Sequence, residues 1–154
     1  MTNDAADHDQ VIRLCRGNQE AMSWIQIGKR YIHEIDDLID EDLKQGNQAR
    51  GAERVCLIGA LAIELYTHPF FLKHGAALSA VMLINTNNYA DSLRWEGSLV
   101  PWQRSFSDWA RHGWIDVCLV VGYICGGYSS MRNESAELRT LSYADHHDDG
   151  GATH

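Results

Sequence analysis

Apolar residues recur at three- and four-residue steps through most of this chain, and few segments alternate as strands do. A short helix is expected over Asp9–Cys15, broken by Arg16-Gly17-Asn18. The next runs from Asn18 to about Lys44, with Ala21, Trp24, Ile25, Gly28, Ile32, Ile35, Ile39 and Leu43 on one stripe. Gln45-Gly46-Asn47 ends it, Gly46 serving as C-cap. A second long helix covers Ala52–Tyr66 on Val55, Ile58, Leu61, Ala62 and Leu65. Thr67-His68-Pro69 forms a boundary, with Thr67 as N-cap and Pro69 in a first turn.

The third long helix reaches about Glu96, with Ala77, Ala80, Val81, Ile84 and Trp95 facing inward. Gly97 and Pro101 mark a turn. A fourth helix then runs from Ser105 or Ser107 to about Ser129, and Ser135–Ala144 forms a further short one. The fold class is therefore all-α, an antiparallel bundle of four main helices plus short terminal ones. Residues 1–144 read as a single domain and 145–154 as a disordered tail.

Size and composition narrow the function classes. The chain has 154 residues, 45% hydrophobic and 22% charged, the profile of a folded domain. A net charge of −8 opposes non-specific nucleic-acid binding but tolerates an anion bridged by metal. Cys15, Cys56, Cys118 and Cys125 form no CxxC pair and lie in apolar segments, as buried thiols of a reducing compartment do. The polar, acidic start carries no signal peptide, and the apolar stretch Val117–Cys125 is shorter than the ~20 residues a bilayer span needs. The expectation is a cytoplasmic protein with no membrane partner.

Two polar rows carry the candidate chemistry. Asp36-Asp37-Leu38-Ile39-Asp40 is a DDxxD run, continued by Glu41 and Asp42; Asn88, Ser92 and Glu96 follow the spacing NxxxSxxxE. Helical spacing aligns each row on one stripe of oxygen ligands, suited to a hard cation such as Mg²⁺. With helices alternating up and down, the first and third run parallel, and both rows fall at one end of the bundle. An inward asparagine or carboxylate requires a partner or a metal. His112 and Asp116 return at a similar level. Lys44, Arg50, Arg54, Arg94, Arg104 and Arg111 gather nearby, as a small diphosphate-bearing ligand would require.

These rows resemble the metal motifs of class I isoprenoid synthases, the terpene and prenyl-diphosphate synthases. The resemblance implies Mg²⁺ ions held by Asp36, Asp37 and Asp40 on one side and Asn88, Ser92 and Glu96 on the other, gripping a substrate diphosphate. Arg94, Arg104, Arg111 and Asp116 would line the substrate, and a homodimer would supply cavity walls. The segment Trp24–Asp42 with His68-Pro69-Phe70-Phe71 also looks like small phage-type proteins carrying a DDLID run. Trp114-Ile115-Asp116-Val117, with Glu34 and Asp37, is similar to all-α nucleoside triphosphate pyrophosphohydrolases. The rival of another class is a helical interaction protein whose acidic end binds a partner. Minor candidates are His33 beside Asp37, the pair Glu64 and His68, and the tail run Asp145-His146-His147-Asp148-Asp149.

Overall fold

A computed structural model describes the backbone of residues 3–148 and the side chains of residues 8–141. The order is α1 (Asn3–Cys15), α2 (Gln19–Asp37), a π-helical turn (Leu38–Leu43), α3 (Gln48–Thr67), α4 (Pro69–Trp95), α5 (Pro101–Ala110) and α6 (Trp114–Asp148). The fold is all-α, with no strand among the described residues. The chain divides into two compact units, one of Met1–Asn18 with Ala76–His154 and one of Gln19–Gly75.

The second unit is built by α2 and α3. Ala21, Trp24, Ile25 and Gly28 are buried on α2, and Leu61 and Leu65 on α3. Trp24 is fully enclosed: its ring stacks on Phe71 and tilts against Phe70, centroids 6.1 and 5.9 Å away. Its indole N–H donates to the Leu65 carbonyl at 3.0 Å. That carbonyl lies in the last turn of α3, where the donor four residues on would be Pro69, which has no N–H. The tryptophan supplies what the proline removes. The capping expected of Thr67 falls to His68 instead. Its Nδ1 accepts from the Phe70 N–H at 3.2 Å, while the Thr67 hydroxyl donates back to the Ile63 carbonyl.

The stripe that begins on α2 does not continue to Leu43. Over Leu38–Leu43 the backbone bonds from five residues on: Lys44 N–H donates to Ile39 O at 3.2 Å, and Asn47 N–H to Asp42 O at 2.8 Å. The wider turn shifts the helical phase. Asp42 becomes buried at 1% exposure, and Leu43, expected inside, is 62% exposed.

In the first unit α1 lies along α6. Gly122 and Gly126 permit this, since a Cβ on Gly122 would stand 2.3 Å from Leu14 Cδ1 and one on Gly126 2.6 Å from Arg16 Nε. The Ser130 hydroxyl donates to the Leu14 carbonyl at 3.2 Å, and Arg13 pairs with Glu134 and Glu137. The expected fourth helix is two helices, α5 and α6, separated at residues 111–113. Gly113 there faces Asn85, whose Oδ1 would be 2.5 Å from any Cβ at that position. The expected short helix Ser135–Ala144 is the end of α6, which runs to Asp148; residues 149–154, the rest of the expected tail, lie outside the described residues.

Trp114–Leu141 has the length and composition of a bilayer span, beyond what Val117–Cys125 alone suggests. Gly127, at φ 73° and ψ −171°, puts a kink in it.

α4 presents a different face from the one expected. Leu78 and Ser92 are buried, with Val81, Asn85 and Asn88 half-buried, whereas Ala77, Ala80 and Ile84 are exposed. The apolar residues of this helix lie on every side of it, which leaves periodicity little with which to choose a face.

Candidate functional site

The acidic run of the second unit is organised around Arg54. Asn47 caps α3 by accepting from the Arg50 N–H at 3.2 Å, and Gly51 brings the first turn of α3 close to Leu38 and Asp42, each 3.6 Å from a Cβ at that position. Arg54 follows one turn later. Its Nε donates to Asp42 at 2.6 Å, its Nη1 to Asp37 at 2.7 Å and Glu34 at 2.8 Å, and its Nη2 to Glu41 at 3.2 Å. Arg50 shares two of these carboxylates, reaching Glu41 at 3.1 Å and Asp42 at 3.4 Å. Asp42 foremost, then Asp37, raise the Arg54 pKa above its ordinary value through their hydrogen bonds. One guanidinium thus draws four carboxylates together, a task for which a cation is needed.

The row Asp36, Asp37 and Asp40 belongs to this unit. Asp37 bonds Arg54, with His33 at 3.8 Å; Asp40 bonds Lys44 at 2.6 Å; and Asp36 is half-buried on α2. Asn88, Ser92 and Glu96 belong to the other unit. Ser92 is fully buried, its hydroxyl donating to the Tyr89 carbonyl at 2.7 Å and its carbonyl accepting from Ser107 at 2.8 Å. Asn88 is half-buried, and Glu96 pairs with Arg111 at 2.8 Å. Asp116 pairs with Arg139 at 2.8 Å, Arg104 donates to the Ser98 carbonyl at 3.2 Å, and Arg94 is exposed. Among the described residues no three His, Cys, Asp or Glu side chains form a group able to hold a metal ion. The side chains of the tail run 145–149 lie outside the described residues.

Two features of the second unit escaped the sequence reading. One is an open cleft of about 310 Å³ lined by Glu34, Arg50, Glu53, Arg54 and Leu57. The other is the outer face of α3. Ala52, Val55, Cys56, Gly59, Ala60, Ile63 and Tyr66 are all exposed, and at about 100° per residue they form one apolar stripe along the helix. Ile63 is 68% exposed and Val55 54%. Gly59 lies mid-stripe with open space where a Cβ would be. Glu53 and Glu64, three turns apart, are exposed along one edge. The signal was present in the sequence, because α3 carries apolar residues on both sides; Val55, expected inward with Ile58, Leu61, Ala62 and Leu65, belongs instead to the outer stripe.

No protein-family model matches this chain, and neither does any curated protein or solved structure.

Proposed function

We propose that this protein is a helical interaction module that receives a partner helix on the outer face of α3. The apolar stripe from Ala52 to Tyr66 carries this reading: soluble helices ordinarily place polar residues on the side away from their own core. Small residues at Ala52, Gly59 and Ala60 suit close approach of another helix backbone. The edge charges define the occupant. Glu53 and Glu64 favour a helix flanked by lysine or arginine, and the net charge of −8 disfavours a second copy of this chain. The acidic residues around Arg54 then serve to hold α2, the π-turn and α3 together.

The probe is a pair of synthetic amphipathic helices with one apolar face, flanked by lysines in one peptide and by glutamates in the other. Fluorescence anisotropy is expected to show the lysine peptide binding at least about tenfold more tightly, and Ile63→Glu abolishing that binding, as a charge placed in an apolar contact does. Equal binding of both peptides, or binding unaffected by Ile63→Glu, would overturn the reading. Concentration-dependent dimerisation in the ultracentrifuge that Ile63→Glu abolishes would replace the foreign helix by a second copy.

A second reading, Mg²⁺-dependent handling of a diphosphate ligand, is supported by the cleft, which combines the carboxylates of Glu34 and Glu53 with the guanidinium groups of Arg50 and Arg54. It draws also on the expected antiparallel bundle and on the isoprenoid-synthase-like run Asp36, Asp37 and Asp40, which belongs to the same unit as the cleft. Pyrophosphohydrolase chemistry would use the same cations. Here Mg²⁺ with pyrophosphate should stabilise the protein by about 2.7 kcal/mol at 100 times the dissociation constant. Thermal melting that is unmoved by the two together at millimolar concentration excludes it.

A further inference from the structure

The end of α1 and the middle of α6 are held together around two sulfur atoms. Leu14 and Arg16, on either side of Cys15, lie against Gly122, Gly126 and Ser130, which surround Cys125 in α6. Cys15 is buried, Cys125 is half-buried, and all four cysteines are free thiols. The Cys15 thiol donates a hydrogen bond to the Cys125 sulfur. Buried Cys118 is close enough to act electrostatically on Cys15.

We propose that Cys125 and Cys15 are a peroxide-responsive thiol pair that closes into an intramolecular disulfide tying α1 to α6. The roles follow from access and hydrogen bonding. Cys125 has the partial exposure that a small oxidant requires, and its sulfur accepts a hydrogen bond from the Cys15 thiol, which lowers its pKa despite burial. For Cys15 the same hydrogen bond and its burial both raise the pKa, keeping it protonated until a partner forms. In the first step the Cys125 thiolate attacks one oxygen of hydrogen peroxide. The O–O bond breaks, hydroxide leaves and takes a proton to become water, and Cys125 becomes a sulfenic acid. In the second step the Cys15 sulfur attacks the sulfenic sulfur. The S–O bond breaks, the departing oxygen takes the Cys15 proton, and a second water leaves. Two thiols and one peroxide thereby give one disulfide and two waters.

The remaining cysteine, Cys56, is exposed and belongs to the other unit, so it provides an internal reference. The reduced full chain is treated with substoichiometric hydrogen peroxide, alkylated and mapped by mass spectrometry. The expected product is a monomer lacking two hydrogens, with the Cys15 and Cys125 peptides joined. In Cys15→Ser, which removes the resolving thiol, dimedone should trap the Cys125 sulfenic acid, and wild type should be labelled there at least about tenfold less. Cys118→Ser should form the disulfide unchanged, and Cys125→Ser should form none. Circular dichroism of the serine variants checks that they fold, and the wild-type map stands without them. A disulfide to Cys118, oxidation confined to Cys56, or the absence of a dimedone adduct on Cys125 in Cys15→Ser would each overturn the proposal.

Discussion

Trp24→Ala is expected to destabilise the second unit by about 3–5 kcal/mol, the range for deleting a large enclosed aromatic. The residue is fully buried, and its ring is in contact with both Phe70 and Phe71. Trp24→Phe separates packing from hydrogen bonding. It keeps an aromatic ring but removes the donor to the Leu65 carbonyl, for which Pro69 offers no replacement. An unsatisfied buried carbonyl costs about 1–3 kcal/mol, so the phenylalanine variant should fall between alanine and wild type. Urea unfolding followed by far-ultraviolet circular dichroism measures both, read as a shift in midpoint at constant slope. A phenylalanine variant as stable as wild type would mean that the Leu65 carbonyl finds another donor, and that Pro69 creates no vacancy for Trp24 to fill.

The helices themselves were legible because their signals are local. Arg16-Gly17-Asn18, Gln45-Gly46-Asn47 and Gly97 are breakers wherever they occur, and the structure shows positive φ at Gly17, Gly46 and Gly97. What escaped was non-local. A 3.6-residue repeat carried through Leu38–Leu43 puts Leu43 inside; the π-turn exchanges it for Asp42, and nothing in the hydrophobic pattern marks that change of period. Asp42 is followed on α3 by the arginine that compensates it, Arg54, which the sequence placed among ligand-binding groups without naming its partners. On α4, apolar residues on every side gave no basis for choosing Leu78 over Ala77 and Ala80. Cys15 and Cys125 are separated by most of the chain, and only the packing of α1 on α6 pairs them.

Arg54→Met should produce a large loss of stability and a new response to divalent cations. The methionine keeps the apolar length of the side chain but leaves Glu34, Asp37, Glu41 and Asp42 gathered without their common guanidinium. Arg50 still reaches Glu41 and Asp42, whereas Glu34 and Asp37 lose the guanidinium that they share. Asp42→Ala is the smaller counterpart: it removes the hydrogen bond from Arg54 and the ion pair with Arg50 while Arg54 retains three carboxylates, so this variant should melt between Arg54→Met and wild type. The diagnostic measurement is thermal melting with and without millimolar Mg²⁺. In Arg54→Met the clustered oxygens should accept the ion, hard cations preferring such ligands, and recover part of the lost stability. Wild type should show no such recovery, because a protein-borne cation already occupies the centre. If Mg²⁺ alone raised the melting temperature of wild type as much as that of Arg54→Met, its binding would not depend on vacating that centre. The acidic end would then retain a cation site beside Arg54, and the diphosphate reading would gain over the docking face of α3.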